Sequence, residues 1–175
     1  MKIAVCGTSV GPIKKDILRK SWETGAEIAR KKHILVFGGC LGYPYEAAKG
    51  AYANKGKVIA ISPAKGKSEH VKIYGFPTDS VSEIRYTGLG IPERNLPLVK
   101  GSDAIIIIAG QIGTLNEFTI AFYQKKRIGI LKNSGGITDI IGAITYVCDN
   151  EKYKIRNNIA YSEDPIELVK KLISL

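Results

Sequence analysis

Residues 102–117 read SDAIIIIAGQIGTLNE, and the reading of the fold turns on them. Ala104 and four isoleucines in a row make a short, β-branched run with no polar residue. Such a run predicts a strand buried on both faces, as in a parallel sheet covered by helices. The turn from Ala109 to Gly113 then delivers the chain into a helix. N–H groups at a helix start lack intrahelical partners, and the helix dipole favours negative charge there. A phosphate therefore suits Gly110, Gln111, Ile112, Gly113 and Thr114. Glu117, in the first turn, sets a carboxylate beside that cradle. The same residues also fit a capping box, Thr114-x-x-Glu117, with Gly110 and Gly113 shaping a tight turn. The stretch alone does not choose between the two.

Working outward, strands and helices alternate. Strands are predicted over Ile3–Cys6, Ile34–Phe37, Val58–Ile61, Glu83–Thr87, Ala104–Ile108, Arg127–Leu131 and Asn158–Tyr161. Helices are predicted from Pro12 to Ala29, Tyr45 to Asn54, Pro92 to Lys100, Thr114 onward, and Ile137 to Ile144. A last helix opens at Asp164-Pro165-x-Glu167, with an N-cap, a first-position proline and an acidic third position. Residues 64–76 are polar and read as a loop. This alternation predicts an α/β, Rossmann-like, doubly wound fold: one mainly parallel sheet, helices on both faces, and a single domain over residues 1–175. Ligands of such folds bind at the carboxyl ends of the strands, near the point where strand order reverses. Three loops rich in small residues meet that edge: Gly7-Thr8-Ser9, Gly38-Gly39-Cys40 and 109–113. Their convergence favours a nucleotide or sugar-phosphate site. Thr8 and Ser9 offer either hydroxyl contacts to a ligand or a local side-chain turn.

Several classes are disfavoured. The first turn lacks G-x-G-x-x-G and no acidic residue ends the second strand, which argues against NAD; no Walker A motif is present. The longest apolar run, 104–109, is far too short for a bilayer span, and the amino terminus lacks a signal-type apolar region, so a cytoplasmic protein is expected. The three cysteines, Cys6, Cys40 and Cys148, have no metal-type spacing and read as inert, half-buried thiols. His33 and His70 stand alone as surface or packing residues. The formal net charge of +10 raises the question of nucleic acid. The lysines, however, are scattered in pairs and not interleaved with aromatics, so a polyanionic small molecule is the favoured partner.

Taken in order, these motifs resemble the LOG-like proteins, the cytokinin riboside 5′-monophosphate phosphoribohydrolases formerly labelled possible lysine decarboxylases. These sit in a wider Rossmann-like group with DNA-processing protein A. The family motif P-G-G-x-G-T-x-x-E falls on Ala109–Glu117, and its Arg-Lys pair on Arg94-Asn95. Its first loop, C-G-S-S-x-G, resembles residues 6–11, and its second glycine-rich loop resembles residues 38–42. Ala109, Gln111 and Asn95 depart from the pattern, which marks a divergent branch. The resemblance implies hydrolysis of the N-glycosidic bond of a nucleoside 5′-monophosphate, with Glu117 and Arg94 as catalytic residues. It also implies a homodimer or larger homo-oligomer. There is no motif for pyridoxal phosphate, so lysine decarboxylation is rejected, and no cofactor is expected. Two alternatives use the same cleft or charge: a carrier for a nucleotide or pterin-type cofactor, and a single-stranded DNA-binding protein.

Overall fold

The computed structural model describes residues 1–149 and 154–175. Seven strands form one sheet: β1 (Lys2–Gly7), β2 (Ile34–Phe37), β3 (Val58–Ser62), β4 (Glu83–Tyr86), β5 (Ala104–Ile108), β6 (Arg127–Leu131) and β7 (Ile159–Ser162). Their order is β4-β3-β2-β1-β5-β6-β7, and every pairing is parallel. The helices are α1 (Lys15–Arg30), α2 (Gly42–Ala53), α3 (Lys67–Lys72), α4 (Ile91–Lys100), α5 (Ile112–Tyr123), α6 (Ile141–Cys148) and α7 (Pro165–Ser174). The chain winds outward from β1 to β4 and returns to the other side of β1 as β5. Strand order therefore reverses between β1 and β5.

Alternation along the strands divides the core into two layers. Ile3, Val5, Ile106 and Ile108 face α1, α2 and α7. Ala4, Cys6, Ile105 and Ile107 face α4, α5 and α6. Every residue of β5 is fully buried, which explains why its sequence carries no polar position. Helices α1 and α2 approach so closely that their backbones touch. A Cβ on Gly25 would lie 1.8 Å from the Ala47 carbonyl oxygen, and one on Gly50 would lie 2.0 Å from that of Trp22.

The departures from expectation have local causes. Helix α1 starts at Lys15 and not at Pro12, because the Tyr43 hydroxyl accepts the Lys14 N–H at 3.0 Å and Lys14 stays extended. Helix α2 starts at Gly42, ahead of Tyr45, with the Tyr43 N–H donating to Thr8 O at 3.0 Å. The expected loop over 64–76 contains α3, pinned by His70. That fully buried ring bonds Ser62 Oγ at 2.8 Å and Pro77 O at 2.9 Å. The expected helix from Ile137 divides into a 3-10 turn, Gly136–Asp139, and α6. Its start is held to the loop after β5 by the Ile137 N–H, which donates to Gly110 O at 3.0 Å. Asp164 caps α7 as expected, accepting the Glu167 N–H at 2.7 Å. Among the described residues no helix is long and apolar enough to cross a membrane.

Candidate functional site

A cleft opens at the carboxyl ends of β1, β2 and β5, where strand order reverses. Its cavity volume is about 80 Å³. Gly7 and Ser9 reach it from β1, Gly38 and Cys40 from β2, Arg94 and Asn95 from α4, and Gly113, Thr114 and Glu117 from α5. Four elements thus converge on one point: the two strands end there in small residues, and α4 and α5 begin there.

Glu117 and Arg94 form the centre. Both are buried, at 7% and 5% exposure. Arg94 Nη1 stands 3.5 Å from Glu117 Oε1, a long contact for an ion pair, and the buried Arg94 Nε has no hydrogen-bond partner. A guanidinium taken out of water with a donor unspent is costly, and native structures hold few such groups. Gly38 makes the room. A Cβ there would lie 2.4 Å from Arg94 Nη1.

Burial pushes the Glu117 carboxyl up to about 7, against the opposing pull of the Arg94 charge and the Cys6 hydrogen bond. The Cys6 thiol, fully buried at the end of β1, donates to Glu117; burial and the Glu117 charge raise its own pKa. Burial likewise pushes Cys40 up to about 11. Both thiols are protonated at neutral pH and are poor nucleophiles. They are fully buried and line the cleft, not half-buried as expected.

The capping box does not form. Gln111 is the N-cap of α5, without a side-chain cap, and Glu117 turns inward to Arg94. The N–H groups of Ile112, Gly113 and Thr114 precede the first intrahelical bond, which runs from Leu115 N–H to Gln111 O at 2.9 Å. Gly113 and Thr114 present this helix start to the cleft.

Other residues expected at the ligand shape the cleft without lining it. The Gly110 N–H donates to Thr8 Oγ1 at 2.9 Å, so that N–H is not free for a phosphate. Gly39 turns the chain at φ 71, against His70. Gln111 is exposed, and its Nε2 lies 3.7 Å from where a Cβ of Gly11 would be, so its side chain spans the first and fifth loops. Ile112 stands on the outer rim of the cleft, 79% exposed.

A support under the fifth loop was not read from the sequence. Ser134 Oγ accepts the Ala109 N–H at 2.7 Å, donates to Leu131 O at 2.6 Å, and meets Thr138 Oγ1 at 3.1 Å. It holds Ala109 at φ 54. A proline, locked near φ of about −65°, cannot take that conformation. The alanine at the position of the family proline thus accompanies a different course of the backbone.

Fold and cleft together define a LOG-like protein of the Rossmann-like group. The profile of the SLOG cluster4 family matches residues 1–169, and the chain belongs to that family. It is 35% identical over 133 residues to an uncharacterized protein of Archaeoglobus fulgidus, covering 75% of this chain and 80% of that one. It is 31% identical over 137 residues to a protein of Oryza sativa subsp. japonica named probable cytokinin riboside 5′-monophosphate phosphoribohydrolase LOGL9; the match spans 74% of this chain and 57% of the rice protein. Among solved structures, the molybdenum cofactor carrier protein of Chlamydomonas reinhardtii superposes with a TM-score of 0.78 at 25% identity, over 99% of this chain and 98% of that one. TM1055 gives a TM-score of 0.81 at 25% identity, over 99% and 98%. DNA processing protein A of Helicobacter pylori shares the fold, with a TM-score of 0.67 at 16% identity over 99% of this chain and 80% of that one.

Proposed function

We propose that this protein hydrolyses the N-glycosidic bond of a nucleoside 5′-monophosphate. The observation that carries the reading is the buried Glu117 carboxyl, raised to about 7, facing the under-coordinated Arg94 at the start of α5. The phosphate lies on the free N–H groups of the first turn of α5, where the helix dipole favours it. The free donors of Arg94 hold the ribose or its phosphate. Ionised Glu117 orients a water against C1′ and takes one of its protons. The water oxygen bonds to C1′ as the C1′–N bond breaks, its electron pair leaves with the base nitrogen, and that nitrogen takes up a proton. The products are free base and ribose 5-phosphate. Negative charge at Glu117 also stabilises the oxocarbenium-like transition state, an effect strengthened by burial.

The sign of the pH dependence follows. The working form of Glu117 is the carboxylate, so base release rises with pH and is half-maximal near the raised pKa of about 7. A chromatographic assay of free base across pH 5 to about 9 tests this. A rate that is flat through neutrality, or that falls, would remove Glu117 as the base. A second expected result concerns Gly38→Ala. Its new Cβ meets only the far end of Arg94, so the fold persists while the guanidinium is displaced. A shift of this kind lowers kcat/KM about a hundredfold, with little change in melting temperature. Undiminished activity would show that Arg94 does not need its present place.

The second reading is a carrier without chemistry for a nucleotide or pterin-type cofactor. It is favoured by the superposition on the molybdenum cofactor carrier over 98% of that protein's length, and by the departures at Ala109, Gln111 and Asn95. Binding without base release would choose it.

A further inference from the structure

Beside the inner cleft lies a larger compartment of about 520 Å³, walled by Ile91 and Pro92 of α4 and by Ile112 of α5. The two compartments adjoin, with Ile91, Asn95 and Gly113 lining both. The walls are apolar and stand open: Ile91 is 48% exposed and Ile112 79%. The floor is polar. Asn95 Nδ2 donates to Asn116 Oδ1 at 2.9 Å and to Gly113 O at 3.4 Å. The second contact fixes the amide orientation, because a carbonyl can only accept. Asn95 Oδ1 and Asn116 Nδ2 are then left without a protein partner among the described residues. The pair offers one acceptor and one donor side by side, between two aliphatic walls.

We infer that this compartment is a subsite for a planar heterocyclic base, read along one edge by the Asn95–Asn116 amide pair. The chemistry it fits is an adjacent donor and acceptor on a flat ring, such as the amino group and neighbouring ring nitrogen of adenine. Aliphatic walls on both sides suit the faces of such a ring, whose burial removes apolar area from water. Glu93, which also lines the compartment, has the wrong charge for a phosphate, so the anionic end of the ligand lies inward. That placement puts the glycosidic bond between the two compartments, beside Glu117. Asn95 occupies the position of the family lysine, so this edge-reading pair belongs to this chain's own branch.

The inference rests on the reading that the inner cleft holds ribose phosphate, and the test separates the two. Calorimetric titrations use adenosine 5′-monophosphate and ribose 5-phosphate, on a Glu117→Gln background so that nothing is hydrolysed. The inference predicts that the nucleotide binds at least about tenfold more tightly than the sugar phosphate. Adding Asn116→Ala, on the exposed side of the pair, then weakens the nucleotide about tenfold and leaves ribose 5-phosphate unchanged. Equal binding of the two ligands overturns the subsite while leaving the inner cleft as read. So does a preference that survives Asn116→Ala. Loss of both ligands in the Asn116→Ala protein assigns the pair a structural role and also overturns it. Failure of both ligands to bind before that substitution removes the ribose-phosphate reading, and the subsite with it.

Discussion

Glu117→Gln lowers the rate of base release about a thousandfold, while nucleotide affinity stays within a few-fold of wild type. The amide fills the same space beside Arg94 but accepts no proton and carries no charge for an oxocarbenium-like centre. The reverse pattern, lost affinity with kcat retained among bound molecules, would make Glu117 a binding group only. The same substitution has a signature in stability. The folded-state pKa of Glu117, about 7, lies above its ordinary value of 4.5. Between those values the folded protein holds a proton that the unfolded chain has released. Stability from this group is therefore present at low pH and declines as pH rises from 4.5 to about 7. Denaturation midpoints across that window decline in the wild type, and the Glu117→Gln protein lacks this component. The site is thus a place where the fold gives up stability to hold a carboxylate in a dry cleft.

The largest expected effects on stability lie far from the cleft. Gly25→Ala and Gly50→Ala each drive a methyl group into backbone, at 1.8 Å from Ala47 O and 2.0 Å from Trp22 O. No rotamer change relieves a clash with a carbonyl, so α1 and α2 must move apart and reopen the layer that buries Ile17, Ile28, Ala47 and Ala51. Each substitution costs about 3 kcal/mol, at the upper end of ordinary overpacking. One separation relieves both clashes, so the double variant costs less than the sum. Gly142→Ala is the control: open space surrounds that helical glycine, and alanine there gains about 0.5 kcal/mol through helix propensity. Urea denaturation measures all four proteins. An unchanged midpoint for Gly25→Ala would contradict the backbone contact between α1 and α2.

Much of the fold was legible because its signals are local and periodic. The bounds of β2, β5 and β6 follow directly from apolar runs that the winding buries on both faces. The reversal of strand order was legible only as a class, since the sequence does not state which strand lies beside β1. Helix starts were misplaced where a distant group intervenes: the Tyr43 hydroxyl holds Lys14 outside α1, and Thr8 O brings the start of α2 forward. Helix α3 is too short for a period to show, and its anchor, His70 between Ser62 and Pro77, joins segments that no spacing rule relates.

The candidate site divides in the same way. The pattern on residues 109–117 and Arg94 singled out the residues at its centre. Which backbone groups remain free was not legible. The Thr8 hydroxyl takes up the Gly110 N–H across 102 positions of sequence, and Ser134 supports Ala109 from beyond β6. Nor could the Cys6 bond to Glu117 be foreseen, because it depends on β1 and α5 meeting at the switch point. The Asn95–Asn116 pair was hidden for a related reason. Each residue alone is an ordinary helical asparagine, and only the crossing of α4 and α5 puts their amides in contact.

The most direct measurement is base release itself. The protein is incubated with adenosine 5′-monophosphate and, separately, with adenosine, and free base and ribose 5-phosphate are quantified by chromatography. The account predicts the two products in equal amounts from the nucleotide, and little from the nucleoside, which lacks the group held at the start of α5. Nucleotide recovered intact from a protein that calorimetry shows to be saturated with it would contradict hydrolysis and leave a carrier.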